Sequence, residues 1–362
     1  MAPKVSVIMP VYNAHDYLEQ CLSSVLNQTL QEIEIICVDD DSKDDSLAIL
    51  QRLAAADSRL TVIHQENGGA GAARNNGLQY ATGEYLSILD CDDFFEPDML
   101  EKAYWEAKKN ALDIVTFGCD FYDNESGTYR PCTYSINRKL LPAQQIFCAD
   151  DVKQDVFKLF VGWSWDKLFR TEFVREHNLL FQEQRTTNDM LFVFNGLLRA
   201  KRIAVMDNVF VHQRRGLQSL SVTREKSWMC FYNALLALRE EMYKIGCYER
   251  FEQDFKNYCV HFSLWNLNTL SEPTHTVLYN KLREEWFREL GLTDLPKSYF
   301  YNSHEYAQYR SIRTVPAEKA AASSASGPLS RLLLCLRQHG LLYTLKYVIH
   351  KFIKYTSKEE IL

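Results

Sequence analysis

The sequence predicts an α/β protein: a doubly wound, Rossmann-like layer, followed by a mainly helical C-terminal region. Three observations carry this. Short β-branched apolar runs alternate with helix-length amphipathic segments over the first 120 residues. Acidic clusters close the second and fourth of those runs. From Glu225 to Leu290 the spacing becomes long-helical and aromatic-rich. Strands that alternate with helices in this way pair in parallel through right-handed crossovers, and ligands of such layers lie at the carboxyl ends of the strands.

The elements follow in order. Val5 to Val11 is a strand. His15 to Thr29 has helical spacing at Tyr17, Leu18, Cys21, Leu22, Val25 and Leu26. Ile33 to Val38 is a second strand, and a helix starts near Asp44. Leu60 to His64 is a third strand, and Ala70 to Tyr80 a helix opened by glycines. Tyr85 to Leu89, a helix over Pro97 to Asn110, and a strand over Asp113 to Phe117 complete the series. Beyond Asp120 the chain is mixed. It holds the polar stretch Asp123 to Arg138, a helix-like run from Asp189 to Leu198, and a candidate strand pair from Ile203 to His212.

The chain has 362 residues, enough for two or three domains at about 100–200 residues each. The division expected is 1–222 for the sheet-bearing domain, 223–315 for a helical subdomain, 316–328 for a linker and 329–362 for basic amphipathic helices. Net charge is −6, which argues against a dedicated nucleic-acid binder. Ten cysteines include no C-x-x-C pair and sit partly in apolar runs, which points to a reducing, cytoplasmic setting. No signal peptide is visible, and no run of 18 apolar residues predicts a membrane span. In the tail, Leu341, Leu342, Leu345, Val348, Ile349, Phe352 and Ile353 share one helical face, and Lys346, His350, Lys351 and Lys354 the other. Two readings stay open for residues 341–355: peripheral contact with an anionic membrane surface, or docking on protein. Oligomeric state is not legible.

The chemistry concentrates in the acidic residues. Asp39, Asp40 and Asp41 end the second strand; Asp90, Asp92 and Asp93 end the fourth. Both clusters would face one crevice. Crowded carboxylates need relief, and a hard divalent cation such as Mn²⁺ or Mg²⁺ with oxygen ligands supplies it. The competing reading is turn and cap chemistry, with Ser42 or Asp44 capping the next helix. Between the clusters, Asn67 to Gly77 carries glycines at a helix start and the fixed charge of Arg74, which suits a phosphate-bearing ligand. It lacks both the dinucleotide fingerprint and the P-loop Lys-Ser/Thr.

Four motifs in series resemble the family 2 inverting glycosyltransferases. They are Pro10-Val11-Tyr12-Asn13, Val38-Asp39-Asp40-Asp41-Ser42, Gly71-Ala72-Ala73-Arg74-Asn75-x-Gly77 and Leu89-Asp90-Cys91-Asp92-Asp93. The resemblance implies a GT-A fold with a mixed sheet and a nucleotide-sugar donor, with 1–120 as the donor half and 121–222 as the acceptor half. It assigns Pro10, Tyr12, Asn13 and Asp40, with Asp39 and Arg74, to the nucleotide. It places Asp90 and Asp92 on ribose and metal. Asp41 departs from the family's usual glycine, which bears on the turn after Asp40.

In the acceptor half, Trp165-Asp166-Lys167-Leu168 resembles the acceptor-side segment of many members, and Trp163 joins it as an aromatic platform. Asn188-Asp189-Met190-Leu191-Phe192 resembles the element that carries the general base, with Asn188 in place of Glu. Asp189 is then the candidate base; its competing role is an N-cap. His212, Arg214 and Ser219-Leu220-Ser221 resemble a segment that closes over the donor phosphates. The expected activity is transfer of a hexose from a nucleotide diphosphate, UDP by resemblance, to a glycan or lipid-linked acceptor in surface polysaccharide synthesis. Two alternatives stand beside it. A sugar-nucleotide pyrophosphorylase would need a Gly-rich loop where Pro10 to Asn13 stand. An inactive scaffold of a glycan-assembly complex would bind nucleotide without turnover.

Overall fold

The computed structural model describes residues 2–215 and 225–317. The expected tail helices, most of the linker and Ser219 to Ser221 lie outside the described residues. Within them the expected series forms nearly as read: β1 (Val5–Val11), α1 (His15–Leu26), β2 (Ile33–Asp39), α2 (Ser46–Ala56), β3 (Leu60–His64), α3 (Gly69–Tyr80), β4 (Tyr85–Ile88) and, after the short β5 (Phe94–Phe95), α4 (Met99–Lys109). The rest of the sheet comes from β6 (Ile114–Asp123), β7 (Thr128–Pro131), β8 (Lys167–Arg170) and β9 (Ile203–Arg215). Helices α5 (Thr171–Glu176) and α6 (Met190–Arg199) precede and follow the loop that carries Asn188 and Asp189.

The strand order is β3-β2-β1-β4-β8-β6-β9-β5, with β7 added to β6. From β3 to β4 every pairing is parallel. The alternation predicts parallel pairing throughout this series, within a sheet that the resemblance implies is mixed. In the structure β8 lies between β4 and β6, antiparallel to both. Its partners are more than 50 residues away in sequence, so no local period announces the insertion. The candidate strand pair at 203–212 is a single 13-residue strand, whose pairing with β6 slips twice between Thr116 and Cys119. Irregularities of this kind bend a strand without ending it.

The two faces of β1 explain why its residues are all buried. Val5, Val7, Met9 and Val11 face one apolar cluster with Leu18, Leu22, Leu100 and Ala103 of α1 and α4. Ile8 faces the other, with Ala73 of α3, Ile36, Val38 and Ile88. This is period-two alternation in a strand covered by helices on both sides. The second cluster continues through Phe192 and Phe194 of α6 into α7 (Cys230–Lys244) and α8 (Tyr248–Thr269). The helical region thus shares a core with the sheet, and α6 is pinned between them. α9 (Thr274–Lys281), a π-helical turn at Leu282–Trp286, α10 (Phe287–Glu289) and α11 (Ser303–Thr314) finish it.

One glycine sets how the two halves meet. A Cβ on Gly71 would stand 2.3 Å from the carbonyl oxygen of Gln182, so α3 touches the loop before α6 through bare backbone. Gly71→Ala is expected to lower stability by about 1–3 kcal/mol in urea denaturation, the usual cost of overpacking. Gly196→Ala is the control: its added methyl meets nothing closer than 3.5 Å, so stability should hold or rise.

Candidate active site

β1 lies between β2 and β4, so the carboxyl ends of all three open on one crevice. Asp40 donates its N–H to Val11 O at 2.8 Å, and Leu89 donates to Ile8 O at 3.0 Å. The Tyr12 amide also bonds the Cys91 sulfur. The two acidic clusters therefore flank one strand end, with parent strands about 10 Å apart at two strand spacings.

The first cluster divides its labour. Asp39 is fully buried. Its Oδ2 lies 2.8 Å from His64 Nδ1, while its buried Oδ1 has no hydrogen-bond partner among the described residues. Asp40, also buried, accepts hydrogen bonds from Gly68 N, Gly69 N and Gln65 Nε2, each at 2.8 Å. Those amides are orphan donors at the start of α3, where negative charge is favoured. Asp40, which the resemblance assigns to the nucleotide, holds the α3 start, and Asp39 keeps a spare acceptor among the described residues.

The turn after β1 is tied to the loop after β2. Asn13, at φ +49°, accepts from Lys43 N at 2.7 Å and donates its own N–H to Ser42 Oγ at 3.1 Å. Asp41 sits at φ +63°, the left-handed conformation that a glycine there would adopt freely. Aspartate tolerates this region, so the departure from glycine leaves the turn intact. Pro10 is buried in β1, and Tyr12 stands 49% exposed at the mouth of the crevice. Asp44, not Ser42, serves α2: its Oδ1 accepts from Ser46 N at 3.0 Å.

The second cluster is tighter. Asp90, Asp92 and Asp93 each place an oxygen within 4.8 Å of the others. Burial, then the charge of Asp90, raises the Asp92 carboxyl to about 6. Asp93 is pushed well up, by burial and then by Asp92 and Asp90. Its Oδ1 accepts from Arg214 N at 2.9 Å, which fixes it to β9. Arg74 is buried and bridges the halves: it donates to Asp90 Oδ1 and to Asn188 Oδ1, both at 2.6 Å. The departure at Asn188 thus has a place. A neutral amide accepts from Arg74 and leaves the guanidinium charge to the carboxylates.

Asp189 stands at the capping position of α6, yet its side chain makes no capping hydrogen bond. The competing role therefore does not apply. Burial raises its carboxyl to about 6; Arg74 opposes the rise and Asp90 adds to it. Two expected acceptor residues lie elsewhere. Trp165 is 2% exposed and packs in the core. Asp166 is fully buried and paired with Lys167 Nζ at 2.5 Å, so it offers nothing to an open site. Lys167 also donates to the carbonyls of Val161 at 3.3 Å and Trp163 at 2.8 Å. Trp163 alone of the three stays half-buried, stacked on Trp165 with centroids 4.6 Å apart.

His212 is buried between Asp120, 2.7 Å from Nδ1, and Glu96, 3.0 Å from Nε2. Both ring nitrogens are taken, so it is bound into the β5–β6–β9 corner. Arg214 donates to Asn124 at 2.8 Å and Gln20 at 2.5 Å, with its guanidinium 4.8 Å from the Phe94 ring centroid. The roles of His64, Gln65 and Asn188 as partners were not read from sequence. Each depends on which loop faces it, and no spacing reports that.

The family model for glycosyl transferase family 2 matches residues 6–176. EpsH of Bacillus subtilis, whose name assigns it provisionally to the glycosyltransferases, is 31% identical over 295 residues, 78% of this chain and 81% of EpsH. The chain belongs to glycosyl transferase family 2. EpsJ of the same organism, named as an uncharacterized glycosyltransferase, is 37% identical over 224 residues; that match spans 61% of this chain and 64% of EpsJ. Among solved structures, residues 1–349 of TarS from S. aureus align with TM-score 0.54 at 18% identity, over 86% of this chain and 90% of that one. The fold is GT-A, as the resemblance implied. Among the described residues no helix is long and apolar enough to cross a membrane.

Raised carboxyl pKa values make the folded chain bind more protons than the unfolded one between about pH 4 and 6. Stability from these groups therefore falls as pH rises through that window. In metal-free buffer at pH 7, Asp92→Asn should melt about 2 °C or more above wild type, and the gap should close at pH 4.5. Differential scanning calorimetry at both pH values checks this.

Proposed function

We propose that this family 2 member is an inverting hexosyltransferase that uses a nucleotide-diphosphate sugar. The donor is a UDP-sugar and the acceptor a hydroxyl of a glycan or lipid-linked glycan. One observation carries the reading: an uncapped carboxyl, Asp189, stands beside the Arg74–Asp90 pair at the crevice where two acidic strand ends meet. The TarS segment has been solved with UDP and with UDP-GlcNAc, which supports uracil and a hexose derivative here.

The residues divide the work. Asp39 Oδ1, buried and unpartnered, is set to accept an N–H of the base. Tyr12 provides an exposed ring at the same mouth. Asp90 and Asp92 would hold Mn²⁺ or Mg²⁺; the crowded, charge-repelling oxygens fit a hard cation, which neutralises the leaving diphosphate when bound. Arg74 keeps Asp90 in place for that role.

Asp189 takes the proton of the attacking hydroxyl. Such a hydroxyl is a weak acid, and a carboxyl raised to about 6 is a better base than an ordinary aspartate yet still ionised at pH 7. The hydroxyl attacks the anomeric carbon as the bond to the diphosphate breaks. A single displacement inverts that centre and needs no protein nucleophile. Surface polysaccharide synthesis on the cytoplasmic side is the setting proposed.

Asp189→Asn should cut transfer at least about 100-fold, the usual scale of a lost general base, with UDP affinity within twofold of wild type. Calorimetry with UDP and Mn²⁺, alongside product assay over a panel of nucleotide sugars, makes the comparison. Wild-type protein that binds no nucleotide in Mn²⁺ would refute the assignment. Asp92→Asn should lose the Mn²⁺ dependence of UDP binding.

A further inference from the structure

The β6–β7 hairpin holds two nucleophiles that the transfer chemistry does not use. Its ladder pairs Phe121 with Arg130 and Asp120 with Pro131. The ladder ends there, and its register, continued by one residue past β7, brings Cys119 opposite Cys132. Directly opposed residues of antiparallel strands have Cα atoms about 4.5–5.5 Å apart, inside the span that a disulfide bridges. The Cys119 thiol is the donor toward the Cys132 sulfur, so the two side chains face each other. Both are free cysteines; Cys119 is buried and Cys132 half-buried, which makes Cys132 the more accessible of the two.

We propose that Cys119 and Cys132 form a redox-modification site, closed to a cross-strand disulfide by exchange with a low-molecular-weight disulfide such as oxidised glutathione. Cys132 attacks first. The hydrogen bond from Cys119, against the cost of burial, lowers its thiol to about 7, so a thiolate is present at neutral pH. It displaces one glutathione thiolate and forms a mixed disulfide. The hydrogen bond to Cys132, then burial, holds the Cys119 thiol well up; once Cys132 is capped the first of these causes is gone, and Cys119 passes its proton to the released glutathione thiolate, attacks the Cys132 sulfur and releases the second glutathione. The net change is two protein thiols and one glutathione disulfide to one protein disulfide and two glutathione thiols. Burial pushes Cys21, Cys37, Cys91 and Cys259 up, which leaves them unreactive by comparison.

The bond would fasten the end of β7 to β6 two residues before Tyr134. That ring is 55% exposed and packs against Trp163 and Phe121, with centroids 6.0 and 5.9 Å away. Oxidation therefore restrains the segment that carries the aromatic wall near Trp163. In a reducing setting the bond reopens by the same exchange.

The test uses the full-length chain, treated with oxidised glutathione, alkylated, and cleaved at Glu125, which separates the two cysteines. The expected result is loss of two of the ten thiols and a linked peptide pair carrying Cys119 and Cys132, restored by dithiothreitol. In Cys119→Ala, checked for a wild-type melt, Cys132 should hold a stable glutathione adduct. In Cys132→Ser, Cys119 should stay alkylatable. No thiol loss, a link between other cysteines, or a persistent Cys132 adduct in the wild type with Cys119 still free would each overturn the proposal.

Discussion

Crowded negative charge at the carboxyl end of β4 is the constraint on which this site rests. Three carboxyl groups approach within 4.8 Å, and two of them are buried enough to resist ionisation. Arg74 makes the arrangement tolerable. Arg74 is 5% exposed, so on its side the bond to Asp90 is weakly screened by solvent. Breaking such a buried pair by removing one partner leaves an uncompensated charge, which is why the residues around it are held so closely.

The same arginine joins the two halves of the sheet domain. Its second bond goes to Asn188, in the loop just before α6. Bare backbone at Gly71 lets that loop approach α3, and the Asn75 side chain clasps it: Nδ2 donates to Phe181 O at 2.9 Å, and Phe181 N donates to Oδ1 at 2.8 Å. Asp189 is therefore placed from α3 as much as from α6. The packing of α6 against α7 and α8 completes the support through one continuous apolar cluster.

Much of the fold was legible because its first half is built from local signals. β1 and β2 are buried runs, β1 and β3 have the expected ends, β2 runs one residue further to Asp39, and α3 begins at its glycines. The acidic strand ends were legible for the same reason, since a residue that closes a parallel strand lies at the ligand edge wherever the strand sits. β8 was not legible. Four residues, Lys167 to Arg170, carry no alternation long enough to read, and their place between β4 and β6 is set by partners far along the chain. The bent β9 looked like two strands because its slips against β6 interrupt the pattern.

At the site, side-chain type was determined by sequence and side-chain duty by tertiary structure. Aspartates at residues 39, 40, 90 and 92 stand out by identity and by their place at strand ends, whereas Asp189 stands out only through the resemblance. Which of them stays available depends on what else is near. Asp40 is taken by the α3 amides, Asp93 by the Arg214 amide, and Asp166 by Lys167, while Asp189 has no cap to make. A hydrogen bond forms only between groups that the fold brings within about 3 Å, and that distance is a property of packed elements, not of spacing along the chain.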